Sequence, residues 1–171
     1  VMEATRSSII LVLDEIDLLY HKYHIRYLFW VDGTWNFDTA WIDRLCSEII
    51  RRKYKLGWWA FVRADLLIEQ EKQGVLEKMV GAGLRHTLLG GERCTREEFK
   101  AIGKTGLEGP ELVEACRILA KKYPDVFRQA TFVTGIRSET KESLALLGEY
   151  ARKANLDFAA FHPLTPFPGT P

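Results

Sequence analysis

What is scarce in these 171 residues sets the first limits. Cysteine is one: Cys46, Cys94 and Cys116 are far apart and odd in number, which argues against a disulfide framework, suits a reducing compartment and leaves no pair at metal-ligand spacing. No apolar run comes near the roughly 20 residues of a membrane span, so no transmembrane segment is expected. The start lacks a signal-peptide pattern, so the expected compartment is the cytoplasm. Charge of one sign is missing as well. The 24 basic and 23 acidic residues are interspersed and leave a formal net charge of +1, so no nucleic-acid partner is implied. There is no GxSxG elbow, no Walker phosphate loop, no GxGxxG after a first strand and no HExxH, which leaves hydrolase and kinase readings with little support. Gly81-Ala82-Gly83 and Gly90-Gly91 do not complete a dinucleotide fingerprint. An aldolase-type barrel would need a lysine at a strand end for a Schiff base, and none stands there.

What is present is ordinary globular composition, 47% hydrophobic and 27% charged, at a one-domain length. Ser7 or Ser8 can cap a first helix whose Ile9, Val12, Leu13, Ile16, Leu19 and Tyr20 recur every three or four residues. Strand-type runs follow at 26–31, 57–62, 84–92, 129–135 and 158–161. Between them lie helix patterns: one opened by Asp38 or Thr39, one running through Leu66, Leu67, Leu76, Met79 and Val80 to Gly81, and a short one with capping-box form at Thr95-Arg96-Glu97-Glu98. Another has Pro110 in its first turn, and a last one carries Leu144, Leu147 and Tyr150. Residues 103–109 read as a loop. Strand and helix alternate with no hairpin signal, so right-handed crossovers should wind the chain into an α/β parallel sheet or an open barrel.

In such a sheet every strand exit comes to one rim, and here the exits carry Asp32, Arg63, Glu92, Glu139 and His162. Three carboxylates, an arginine fork, a histidine and several glycines suit a polar small molecule bearing both an amine and a carboxylate. Each residue also has a plainer use. Arg63 and Asp65 can form a local ion pair, Asp32 and Glu92 can cap helices, Gly90-Gly91 can make a turn, and His162 can satisfy a buried backbone group. Cys46 falls on an apolar helix face and reads as a small buried hydrophobe. Trp30, Trp35, Trp58 and Trp59 could line a large flat pocket, but alternation along strands puts most of them in the core.

The ordered set Arg6-Ser7-Ser8, Asp14-Glu15-Ile16, residues 29–35, Val62-Arg63-Ala64-Asp65, Leu89-Gly90-Gly91-Glu92, residues 132–140 and residues 164–171 covers nearly the whole chain. This set resembles the catalytic barrel of radical S-adenosylmethionine enzymes, in the group that carries an amino-terminal cobalamin-binding domain, and is most similar there to the anaerobic magnesium-protoporphyrin monomethyl ester cyclase type. The resemblance implies a partial (β/α) TIM-like barrel of about five parallel strands with flanking helices over residues 1–171, as a piece of a longer chain. It implies S-adenosylmethionine and a 4Fe-4S cluster as cofactors, cobalamin on a separate domain, and a small-molecule substrate such as a tetrapyrrole. The family's cluster loop, CxxxCxxC, has no counterpart in this sequence, so the part before Val1 would have to supply it, and the chain alone is expected to be inactive. Asp32 and Gly33 match the exit that meets the methionine end of the cofactor, Arg63 would meet its carboxylate, and Gly91 with Glu92 match the acid associated with methionine and ribose. Gly135 and Ile136 match the motif that packs on adenine, Glu139 helps shape that turn, and residues 166–170 match the loop after the family's sixth strand. No residue is implied as a catalytic acid or base. Two departures stand out. Arg137 and Ser138 replace the usual Pro and Gly of the adenine loop, and Gly33 replaces a second acid. The rival expectation is a non-catalytic barrel domain that binds a small ligand or a partner protein.

Overall fold

A computed structural model describes residues 8–103 and 109–165. Arg6-Ser7, residues 104–108 of the expected loop and residues 166–171 lie outside the described residues. The elements run α1 (Ile9–Asp17), a π-helical turn (Leu18–Lys22), β1 (Tyr27–Trp30), a 3-10 turn (Trp35–Phe37), α2 (Thr39–Arg51), β2 (Gly57–Val62), α3 (Ala64–Lys72), α4 (Val75–Gly81) and β3 (Leu84–Glu92). They continue with α5 (Arg96–Ala101), α6 (Pro110–Lys122), β4 (Phe127–Thr134), α7 (Lys141–Lys153) and β5 (Phe158–Pro163). All neighbouring strands are parallel and their order is β1-β2-β3-β4-β5. Because each crossover steps the same way, the helices gather on one face and the strand carboxyl ends share one rim. This is the α/β barrel segment expected from the sequence.

The two faces of the sheet differ as strand alternation requires. Toward the helices, Trp58, Ala60 and Val62 of β2, Leu84 and Leu89 of β3, and Ala130 and Phe132 of β4 are buried against Leu45, Leu67, Leu76, Met79 and Leu119. Each fully buried Leu or Met stabilises the fold by about 1.5–3 kcal/mol relative to exposure. On the open face, Phe29 stacks on Trp59 at 3.8 Å, Trp59 stacks on His86 at 5.2 Å, and Phe127 meets the far side of His86 edge-on at 4.9 Å. Trp35 and Trp58 are core, as expected, whereas Trp59 belongs to this open-face row.

Local signals set most element ends. Asp38 caps α2 by accepting from the Trp41 amide at 2.9 Å, Pro110 opens α6, and Thr140 with Ser143 forms a capping box on α7. One expectation is corrected. The helix read through 66–80 is two helices, because Gly74 takes a left-handed φ of +74° that ends the first and starts the second. Strand β4 begins two residues earlier than read and β5 extends to Pro163. Among the described residues no helix is long and apolar enough to cross a membrane.

Candidate functional site

The exit of β3 is the most shaped part of the rim. The ladder to β4 pairs Gly90 with Thr131 and then Glu92 with Phe132, so Gly91 is a bulge that the partner strand skips. Gly91 lies flat on the Phe132 ring, where a Cβ would stand 2.5 Å from Cε1. Glu92 is held at φ +47°, a conformation that side chains rarely adopt, and its carboxylate folds back so that a Cβ on Gly90 would stand 2.9 Å from Oε1. The two glycines thus leave room for Glu92 to turn over the strand end. They open a cavity of about 380 Å³ lined by Thr34, Arg63, Asp65, Gly90, Glu92 and Tyr150, among others.

Arg63 enters the same cavity from the neighbouring strand. Its backbone is anchored by buried Asn36, whose Oδ1 accepts from the Arg63 amide at 2.8 Å and whose Nδ2 donates to the Arg63 carbonyl at 3.1 Å. Gln70, also buried, fixes Asn36 by accepting from Nδ2 at 3.1 Å and donating to its carbonyl at 2.8 Å. The Arg63 guanidinium is half exposed and forks onto Asp65, with Nε–Oδ1 3.1 Å and Nη2–Oδ2 2.7 Å. Burial pushes the Asp65 carboxyl up, but hydrogen bonding and charge from Arg63 outweigh it and hold the group below its ordinary value.

Beside Glu92, Arg93 is fully buried. It donates to the Val133 carbonyl at 2.9 Å, to Glu139 Oε2 at 2.6 Å, and to Glu98 Oε1 from Nε at 3.1 Å and again from Nη2. The other Glu139 oxygen accepts from the Gly135 amide at 2.8 Å, and the Glu139 amide closes a turn onto the Ile136 carbonyl at 2.9 Å. Gly135 itself has φ +77°. Burial raises the Glu98 carboxyl, yet the Arg93 hydrogen bonds and charge bring it below its usual value.

The structure brings together Arg63, Glu92 and Gly90 on one cavity. Asp32 and Gly33 are exposed at the exit of β1 and do not line it, although the adjacent Thr34 does. Gly91 is buried behind the strand end. Gly135 sits at the exit of β4, and Ile136, buried, borders a second hollow with Ile102, Arg137, Ser138 and Leu164. Both Glu139 oxygens face protein groups, so this carboxylate shapes the loop and does not face the cavity. His162 is exposed on β5, away from it. From the sequence Glu98 is expected only as part of the Thr95 capping box, and Asn36, Gln70 and Arg93 carry no expected role.

Cys46 and Cys116 are fully buried and their thiols are pushed up to about 12, while burial beside Glu98 pushes Cys94 up to about 11. Among the described residues no group of three or more His, Cys, Asp or Glu side chains is placed to hold a metal.

The fold matches coproporphyrinogen III oxidase (HemN) from Escherichia coli, described as a radical SAM enzyme, with a TM-score of 0.68 and 16% identity over 94% of this chain and 38% of that one. The likeness shows the fold, a segment of a parallel α/β barrel like the one in that enzyme. In sequence the chain is similar to an uncharacterized methyltransferase of Pyrococcus horikoshii, 25% identical over 93% of this chain and 33% of that protein. It is also similar to the anaerobic magnesium-protoporphyrin IX monomethyl ester cyclases of Rubrivivax gelatinosus (27% identical, 92% of this chain, 27% of that protein) and Cereibacter sphaeroides (28%, 94% and 26%). The chain spans a third or less of the length of these relatives. No family model matches it. The similarity to the cyclases expected from the sequence thus extends over nearly the whole chain.

Proposed function

We propose that this chain is the S-adenosylmethionine-binding part of a radical S-adenosylmethionine enzyme longer than itself. The observation that carries the reading is the convergence of Arg63 and Glu92, from adjacent parallel strands, on one cavity of about 380 Å³. An arginine fork matches a carboxylate in two-point contact, and a carboxylate suits an ammonium or ribose hydroxyls. The side chains present fit a zwitterionic cofactor of this kind. Arg63 already holds the Asp65 carboxylate in that geometry, and because the Arg63 side chain is half exposed, its fork can pass from Asp65 to a ligand carboxylate. Glu92, with Gly91 behind it, would take the ammonium or ribose end. Asp32 and Gly33 would approach the methionine end from the outer rim, and Gly135 with Ile136 would pack on adenine, shaped by Glu139. When bound and reductively cleaved, S-adenosylmethionine supplies a 5′-deoxyadenosyl radical that takes a hydrogen atom from a substrate.

The described residues do not fit a 4Fe-4S cluster, since two of the three thiols are sealed in helices and none has a partner ligand set. We assign the cluster to a part of the longer protein, together with any cobalamin domain, and take the substrate to be a small molecule of tetrapyrrole type by likeness to the cyclases. The test uses the full-length gene product, purified without oxygen and reconstituted with iron and sulfide. After reduction it is expected to convert S-adenosylmethionine to 5′-deoxyadenosine or S-adenosylhomocysteine, and Glu92→Ala or Arg63→Ala should abolish this. No cluster absorbance and no cleavage would sink the reading and leave a non-catalytic barrel domain that binds a small ligand or a partner protein.

A further inference from the structure

We infer that Arg93 is a positioning residue that sets the nucleoside half of this site, by holding Glu139 so that Glu139 in turn holds the Gly135 amide. The inference rests on the proposed function and deepens it. Its ground is a continuous chain of contacts across the rim. Arg93 adjoins Glu92, which faces the cavity, and its guanidinium reaches the β4 side through the Val133 carbonyl and Glu139 Oε2. The second Glu139 oxygen then receives the Gly135 amide at 2.8 Å. A guanidinium at this place is costly unless every donor direction is answered, because a buried charge loses its water. Here the guanidinium is answered by two carboxylates and a carbonyl, all from different segments. Packing alone does not require such an arrangement. Apolar residues of similar volume would fill the space, and replacing a buried ion pair in that way is often neutral or stabilising.

What an apolar filling could not do is hold the Gly135 loop. Gly135 has φ +77°, and Arg137, two residues further on, is exposed. The Glu139 carboxylate is the strut that ties the first amide of this loop to the buried guanidinium. Glu139 keeps both oxygens aimed only because Arg93 fixes one of them. The strut therefore acts on whatever Gly135 and Ile136 contact, whereas the amino-acid end of the ligand depends on Arg63 and Glu92.

The test separates position from stability. The full-length protein carrying Arg93→Met together with Glu98→Gln and Glu139→Met removes the guanidinium and both carboxylates that pair with it and keeps side-chain volume, so folding should be close to wild type by urea denaturation. Its dissociation constants for methionine and for 5′-deoxyadenosine are measured separately by calorimetry. The expected result is that 5′-deoxyadenosine binds about tenfold or more weakly, the scale of one lost hydrogen bond, with methionine binding unchanged. Arg93→Lys should recover part of the affinity, since an ammonium keeps the charge but not the fork. Equal affinity for 5′-deoxyadenosine in the triple variant and the wild type would overturn the inference and leave the proposed function standing. Equal weakening of both ligands would also overturn it. A wild-type protein that binds neither probe would overturn it together with the proposed function.

Discussion

Two arginines in this chain occupy equivalent places and lead different lives. Arg63 stands one residue beyond β2 and Arg93 one residue beyond β3, and each pairs with carboxylate oxygens. The Arg63 side chain is 49% exposed and its partner is two residues away in sequence, whereas the Arg93 side chain is 0% exposed and its partners lie 5 and 46 residues away. In water the first pair contributes at most about 1 kcal/mol and exchanges readily. The second is shielded, satisfied and joined to three segments, so it behaves as part of the framework. The lesson is that the same ion pair, moved from one strand end to the next, changes from a ligand-ready group into a structural tie through burial alone.

Breaking the buried tie should have the largest effect. Arg93→Met alone leaves Glu98 and Glu139 facing each other with no counter-charge, and should lower unfolding free energy by about 3–5 kcal/mol, read from urea midpoints. The pH dependence has a definite sign. The Glu98 carboxyl lies below its ordinary value of 4.5 in the folded protein, so its stabilisation is present above that value. It is lost as pH falls from there through the depressed folded value, because the unfolded chain then takes up the proton first. Wild-type stability should therefore drop over that acidic interval, and the Arg93→Met curve should be flatter there. A parallel pair of curves would sink this account of Glu98.

Gly91→Ala probes the same exit through shape. Its Cβ would press on the fully buried Phe132 ring, and a loss of about 1–3 kcal/mol is expected by thermal denaturation. Glu92→Gly should act oppositely on stability and binding. Releasing the left-handed backbone at φ +47° should raise stability by about 1 kcal/mol while S-adenosylmethionine affinity falls. A variant that loses both would show that Glu92 is structural. Arg63→Ala should be the mildest for folding, within about 0.5 kcal/mol of wild type, because its side chain is half exposed and Asp65 stays partly open to solvent. A loss well above 1 kcal/mol would break the contrast with Arg93.

Much of the scaffold was legible from local pattern. Strands β2 and β3 were read to their observed limits because Trp58, Ala60 and Val62 alternate and Gly90-Gly91 stops an apolar run. The Arg63–Asp65 pair was anticipated since both members sit in one turn. Gly74 was passed over because a lone glycine inside a helical pattern does not announce a positive φ. Arg93 was missed because nothing near it in sequence says that it is buried, and one of its partners is 46 residues away.

The sequence by itself determined the alternation of strands and helices, the winding of those strands into one parallel sheet, and the rim on which Arg63 and Glu92 had to appear, since these follow from periodicity, glycine placement and the right-handed crossover. Only the tertiary structure decided which rim residues face a cavity and which are consumed by the protein. That choice depends on where three distant segments meet: Glu98 from α5, Glu139 from the loop before α7 and the Val133 carbonyl of β4 surround a guanidinium and exclude water from it. Burial of this kind belongs to the packed chain and to no single stretch of it.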